Sequence, residues 1–364
     1  MPPDPIAGAS AAEQPILWLG MSGFAPQQRA QLEASLTRPS GLPRWRICDL
    51  GDADAWWVNG AKVHPMPDGN LKVAAGLPTE HALKVNLSQV DRPVAFALPL
   101  ASFEFAPPCT FDPASQSSIN AVLLQFENSL RLVRAQFVLG AQIIQRGSEL
   151  RHGIYHISHR GALLAVLNFR EGKAALSAHL HPVGLRDAHW DKRPIGARDM
   201  PETFVRTSLA ELTWAYVRRT DRNLLEPRYR AEMIYYRHAP RVPLRWLRDS
   251  QLILLRELSA EPGTLEALRQ RTGFAVRHME HDLSCLYYAG AITTTRSKAA
   301  RPVATHCESH PPSLGPEMDS LLSGEAHSHY KRDLTVPASL EHQPVPKRAD
   351  YSQGQQPSRR RGLT

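Results

Sequence analysis

Hydrophobic and polar positions alternate along this chain in three regimes. In the first, apolar residues come in short unbroken bursts: PILWLGMSGF from Pro15, RWRICDL from Arg44 and AWWVNG from Ala55. Runs of this length, bounded by small or turn residues, predict buried strands. Between the first two, APQQRAQLEASL sets Leu32 and Leu36 four apart with Pro26 in the first turn, which predicts a helix. Pro67-Asp68-Gly69-Asn70 separates two alternating stretches and predicts a hairpin over 61–75. HALKVNL and RPVAFALPL are further strand candidates. Together they predict an α/β layer over 15–108.

In the second regime the period lengthens. Ile119, Val122, Leu123, Phe126, Leu130, Val133, Phe137 and Ile144 recur mostly at three or four residues. One helix from Ala114 to Arg146, closed by Gly147, is expected. Three β-rich runs follow, separated by His159-Arg160-Gly161 and Glu171-Gly172-Lys173, and predict a meander. PETFVRTSLAELTWAYVRRT reads as a second amphipathic helix, with Phe204, Leu209, Leu212, Ala215 and Tyr216 on its apolar face. The segment 109–240 is thus α+β and ends at the Pro-rich HAPRVP.

The third regime, 241–300, is short helices. LRWLRDSQLILLREL is apolar. PGTLEALRQRTG offers Thr264 as N-cap and Gly273 as stop. FAVRHMEHDLSCLYYAG carries a stripe of Met279, Leu283, Leu286 and Tyr287 and stops at Gly290. The β-branched AITTTRSKA suits a strand and wing. This order, and TLEALRQRTGFAVRHMEHDLSCLYYAGAITTT in particular, resembles the winged helix-turn-helix of bacterial regulators. The resemblance implies a helix that enters the major groove of duplex DNA. Val276, Arg277, His278, Glu280, His281 and Ser284 would face outward on it. The expected DNA-contacting residues are Arg271, Arg277, His278, His281, Arg296 and Lys298. Glu280 and Asp282 on the same helix oppose phosphate.

The first regime resembles a response-regulator receiver in outline, one that has lost its chemistry. Such a domain needs acids after its first strand and a phosphate-accepting aspartate at the end of its third. Here the first strand ends GMSG, the third ends on Asn59, and Ala97-Leu98-Pro99 stands where polar groups belong. Asn59 marks the degenerate acceptor position. An unrelated small α/β domain fits the same residues, since Asn59-Gly60 is a turn pair in its own right.

Composition narrows the picture. The chain has 364 residues and a net charge of +8. The charge is unevenly placed: residues 1–110 carry 8 basic and 10 acidic side chains, and residues 111–243 carry 19 and 12. An anionic partner is therefore drawn to the middle segment first. Arg218, Arg219, Arg222, Arg228 and Arg230 crowd one stretch of it. Guanidinium groups grip phosphates bidentately, so Arg218, Arg219 and Arg222 are an expected anion site. Four scattered cysteines make no disulfide framework and fit a reducing compartment. The leader 1–14 lacks signal-peptide character, and no apolar run is long enough for a membrane span. A cytoplasmic protein without membrane contact is expected, with 1–14 and the polar tail 301–364 disordered.

No nucleophile elbow, phosphate-binding glycine loop or complete metal ligand set is present. His179 and His181 would share one face of a strand, and HCESH from His306 and His327-x-His329 are the other histidine pairs. No catalytic residue, metal or cofactor is expected. The reading is a non-catalytic cytoplasmic regulator with three domains. Its expected partners are duplex DNA, a protein partner or a second copy of itself. The alternatives are a protein–protein adaptor, or a nucleotide or anion sensor using the middle arginines.

Overall fold

The computed structural model describes residues 13–39, 41–102, 105–150, 152–194 and 200–300. The expected disordered leader and tail, with the histidine pairs of the tail, lie outside these residues except for Glu13 and Gln14.

The apolar bursts form strands β1 (Ile16–Ser22), β2 (Arg44–Cys48) and β3 (Ala55–Asn59), and α1 (Pro26–Ala34) follows β1. The hairpin is β4 (Val63–Pro65) and β5 (Leu71–Val73), with β6 (Leu83–Val85) as a third antiparallel strand. Then come β7 (Val94–Ala97) and β8 (Thr110–Phe111). Strands β1, β2, β3, β7 and β8 form one parallel sheet in the order β2-β1-β3-β7-β8. This is the 2-1-3-4-5 order of flavodoxin-like sheets. Among the described residues of these connections the one α-helix links β1 to β2; between β3 and β7 the three-stranded β4–β6 sheet takes the place of an α-helix. Odd-numbered residues Leu17, Leu19, Met21, Trp57 and Phe111 face one core, while Val58 and Phe96 face the β4–β6 sheet on the other side.

Two boundaries differ from expectation. The helix expected over 114–146 is broken at Leu130 into α2 (Gln116–Ser129) and α3 (Arg131–Gln145). Ile119, Val122, Leu123 and Phe126 of α2 bury in the first core. There Glu127 is buried and accepts hydrogen bonds from Arg38 and, at 3.2 Å, from Trp45 Nε1. The first layer therefore runs on through β8 and α2 rather than ending at 108.

The meander is β9 (Ile154–His159), β10 (Ala162–Asn168) and β11 (Lys173–Ser177). After α4 (Pro182–Arg186) come β12 (His189–Arg193) and β13 (Phe204–Ser208), which flank the meander to give a five-stranded sheet. The stretch expected to be wholly helical is thus a strand, then α5 (Leu209–Arg219). Ser208 starts the helix: its hydroxyl accepts from Glu211 N, and Glu211 returns a carboxylate to Ser208 N. Helices α3 and α5 cross so closely that a Cβ on Gly140 would sit 2.2 Å from Leu212 O.

The last segment begins with α6 (Arg228–Ala231) and β14 (Tyr235–Tyr236), followed by α7 (Asp249–Ala260), α8 (Leu265–Thr272) and α9 (Val276–Tyr288). Thr264 caps α8, and Gly273 ends it at φ 71°. Strand β15 (Ile292–Thr293) pairs with β14, and Arg296–Lys298 form a 3-10 turn. No wing hairpin occurs among the described residues. Leu225, Tyr229 and Ile234 share the helical core, so this unit starts before 241. A further apolar cluster joins Phe137, Trp214 and Tyr216 to Leu247, Cys285 and Ala289. By their contacts the three segments belong to one compact unit. No helix among the described residues is long and apolar enough to cross a membrane.

Candidate functional site

The capping box at Ser208 fixes the phase of α5, and that phase decides where its terminal arginines go. Arg219 turns inward, 5% exposed, and meets Asp54 at 2.5 Å. Asp54 also accepts from Trp18 N at 3.0 Å. This pair is closed. Arg218, one residue earlier, lies across the ring of Trp214, 5.2 Å from its centre. It donates to the Asp52 carbonyl at 2.9 Å, and its Nε is buried with no partner.

Beyond Arg219 the chain turns at Thr220, which donates to Glu13. Asp221 then pairs with Arg44 at 2.5 Å and Arg46 at 2.8 Å on the β2 edge. Arg222 pairs with Glu13 at 3.0 Å. From the other side come Arg248, at the start of α7, and the first turn of α9. Arg248 stacks over Trp18 at 5.0 Å. His278 approaches Asp282 at 3.1 Å and Ser250 at 3.3 Å.

These elements enclose a cleft of about 550 Å³. Arg46, Arg218, Arg222, Arg248 and Arg277 line it together with His278 and His281, and Asp221 is the acid among its lining residues. The cations disturb one another. Burial, then the neighbouring charges of Arg219 and Arg248, push Arg218 down to about 10, against the opposing pull of Asp54 and Asp52. Burial and then Arg248 hold the His281 imidazole below its ordinary value. Burial is the main cause of both shifts, and the lesser part that comes from neighbouring guanidiniums is one that an anion would relieve.

The structure thus merges two sets of residues that the sequence kept apart. Arg218 and Arg222 of the anion set share the cleft with Arg277, His278 and His281 of the DNA set. The other residues fall elsewhere. Arg219 is sealed against Asp54. Arg271 reaches back to Glu261 at 3.4 Å. Arg296 and Lys298 lie in the turn after β15, without a wing to present them. Ser284, expected to face outward, is buried and donates to Glu280 O at 2.7 Å. Asp282, also on that helix, is fully buried and accepts from Gln251 at 3.0 Å. Glu280 is occupied by Arg230 and Asn223, each at 2.7 Å. His179 and His181 flank the turn before α4 rather than one face of a strand, and no metal-ready cluster occurs among the described residues. Arg46, Arg248 and Trp18 are among the cleft residues that sequence reasoning missed.

Asn59 lies at the opposite end of the first sheet and is already satisfied. Its Nδ2 donates to Gly23 O at 2.9 Å and its Oδ1 accepts from Ala61 N at 3.2 Å. Beside it, the Glu80 carboxylate accepts from Ser22 Oγ at 2.8 Å and from the backbone N–H groups of Gly23, Gly76 and Leu77. No protein-family model matches this sequence, and no curated protein and no solved structure matches it.

Proposed function

We propose that this chain is a non-catalytic regulatory protein of the sensor type, which holds a small phosphate-bearing anion in the cleft between its first sheet and its last helices. The observation that carries this reading is the convergence of five guanidiniums and two imidazoles on one cavity with a single lining acid. Planar guanidiniums match phosphate oxygens in pairs. The volume suits a small ligand rather than a duplex. The walls come from β1, β2, the end of α5, α7 and α9, so a bound anion would tie the first layer to the helical unit. That is how occupancy of the cleft would be passed on as a signal.

Duplex DNA is the second reading, favoured by the exposure of Val276, Arg277 and His278 on the first turn of α9. The two readings separate in one assay. Inorganic pyrophosphate and a duplex are each titrated into the full chain across a salt series. The sensor reading expects pyrophosphate binding that weakens at least tenfold in Arg218→Ala and in Arg248→Ala, since a hydrogen bond to a charged group contributes about 1.5–3 kcal/mol. Duplex binding that falls steeply with salt, without any pyrophosphate binding, would favour the DNA reading instead.

A further inference from the structure

Among the described residues that line the cleft, Asp221 is the one acid, and it already acts there as an anion. Its carboxylate bridges two guanidiniums on the β2 edge, Arg44 at 2.5 Å and Arg46 at 2.8 Å. Arg46 itself lines the cleft, so a ligand anion and Asp221 compete for the same cation. Both are negative, so they also repel each other.

How firmly Asp221 is held decides which of the two gives way. Two residues earlier, the Arg219–Asp54 pair is nearly sealed, with side chains 6% and 10% exposed. Parting a buried pair strands its charges away from water, so that pair stays closed. The Asp221 side chain is 30% exposed, Arg44 52% and Arg46 48%. Water solvates all three when they part, and ion pairs of this exposure contribute little to stability. The end of α5 is therefore fixed at Arg219, while the contact just beyond it is exchangeable.

Residues 220–223 form the turn beyond that fixed point, and all four line the cleft. Thr220 and Arg222 hold Glu13, ahead of β1. Asp221 holds β2. Asn223 donates to Glu280 of α9 at 2.7 Å. We propose that Asp221 is an autoinhibitory stand-in for the ligand. A ligand anion takes Arg46 from it and expels it from the cleft, and the 220–223 turn is loosened. This rests on the anion reading given above and supplies its regulation. A ligand shifts a conformation only by binding one state better than the other. With Asp221 withdrawn, the cleft offers one more free guanidinium and one fewer like charge. The ligand then joins β2 to α7 and α9 in place of the turn.

The test uses the full chain and inorganic pyrophosphate. Asp221→Asn keeps the shape of the side chain and removes its charge, and should bind pyrophosphate at least tenfold tighter than wild type. Were Asp221 there to position Arg46 for the ligand, the same variant would bind more weakly. Equal or weaker binding by Asp221→Asn therefore overturns the proposal and leaves the anion site standing. Amide hydrogen exchange over 220–225 is the second readout and needs no variant. The Arg222 N–H donates to Thr220 Oγ1 and the Leu225 N–H to Asn223 Oδ1, both at 3.1 Å. Saturating pyrophosphate should speed exchange in this stretch of the wild-type chain at least threefold. Unchanged or slower exchange would overturn the displacement even if Asp221→Asn bound more tightly, because repulsion alone would explain that gain. No pyrophosphate binding by the wild-type chain would overturn the anion reading, and this inference with it.

Discussion

The two ends of the first sheet handle charge in opposite ways. At the carboxyl ends of β1 and β3, the side chains of Ser22 and Asn59 have partners inside the chain. Glu80 itself supplies the anion that Ser22, Gly23, Gly76 and Leu77 bind. Ligands of open α/β sheets usually bind at this end. Here the protein's own carboxylate takes the backbone N–H groups of Gly23, Gly76 and Leu77. At the junction with α5, α7 and α9 the balance is reversed, and guanidiniums outnumber the acids facing them. Where charge is matched internally, its loss should cost stability. Where it is left over, its loss should cost binding.

Arg219 gives the sharpest test of that division, because it neighbours Arg218 in sequence but belongs to the matched class. Arg219→Ala would strand Asp54, which is only 10% exposed. A loss of about 3–5 kcal/mol is expected from urea denaturation, the usual cost of breaking a buried pair. Glu80→Ala should lose about 2 kcal/mol and leave pyrophosphate affinity unchanged, since four donors lose a charged acceptor. Its pH dependence has a definite sign. Burial works against ionisation of Glu80, but the four hydrogen bonds prevail and hold its carboxyl below the ordinary 4.5. Its contribution is therefore complete above pH 4.5 and is lost as pH falls through the folded-state value. The stability gap between Glu80→Ala and wild type should close on acidification.

Asn59→Asp should lose about 1–2 kcal/mol, because a carboxylate cannot donate to Gly23 O. The smallest effect expected is the pH dependence of binding in the cleft. Burial and then Arg248 hold free His281 below its ordinary value, with His278 adding to this and Asp282 and Asp221 opposing it. A bound anion would favour its protonation. Proton uptake would then accompany binding, and affinity should rise less than tenfold as pH falls through the ordinary value of 6.5. His281→Asn should flatten that slope. Binding is the cleaner measure here, because burial also lowers His156 on β9 and would add its own pH dependence to a stability curve.

Much of the architecture was legible because burial writes directly into sequence. The bursts at Ile16, Arg44 and Ala55 became the expected strands, and Pro67–Asn70 became a hairpin turn. The break at Leu130 was not legible, since the three-four spacing runs through it; only packing against two different sheets separates α2 from α3. Strand β13 was missed although a signal was present. Ser208-x-x-Glu211 marks a helix start, and the β-branched residues before it belong to a strand. The cleft was half legible. Its α5 and α9 residues stood out as local clusters. Arg46 and Arg248 stood out from nothing, because what makes them part of a site is the distant chain that folds against them. Arg219 shows the converse: adjacency to Arg218 in sequence says nothing about the Asp54 waiting on one face of the helix.

Calorimetric titration of inorganic pyrophosphate into the full chain at low salt, run beside the Arg218→Ala/Arg248→Ala double variant, tests the account most directly. One site per chain is predicted for wild type, weakened at least a hundredfold in a double variant that melts within a few degrees of it. No binding by the wild-type chain, or equal binding by the two proteins, would contradict the account.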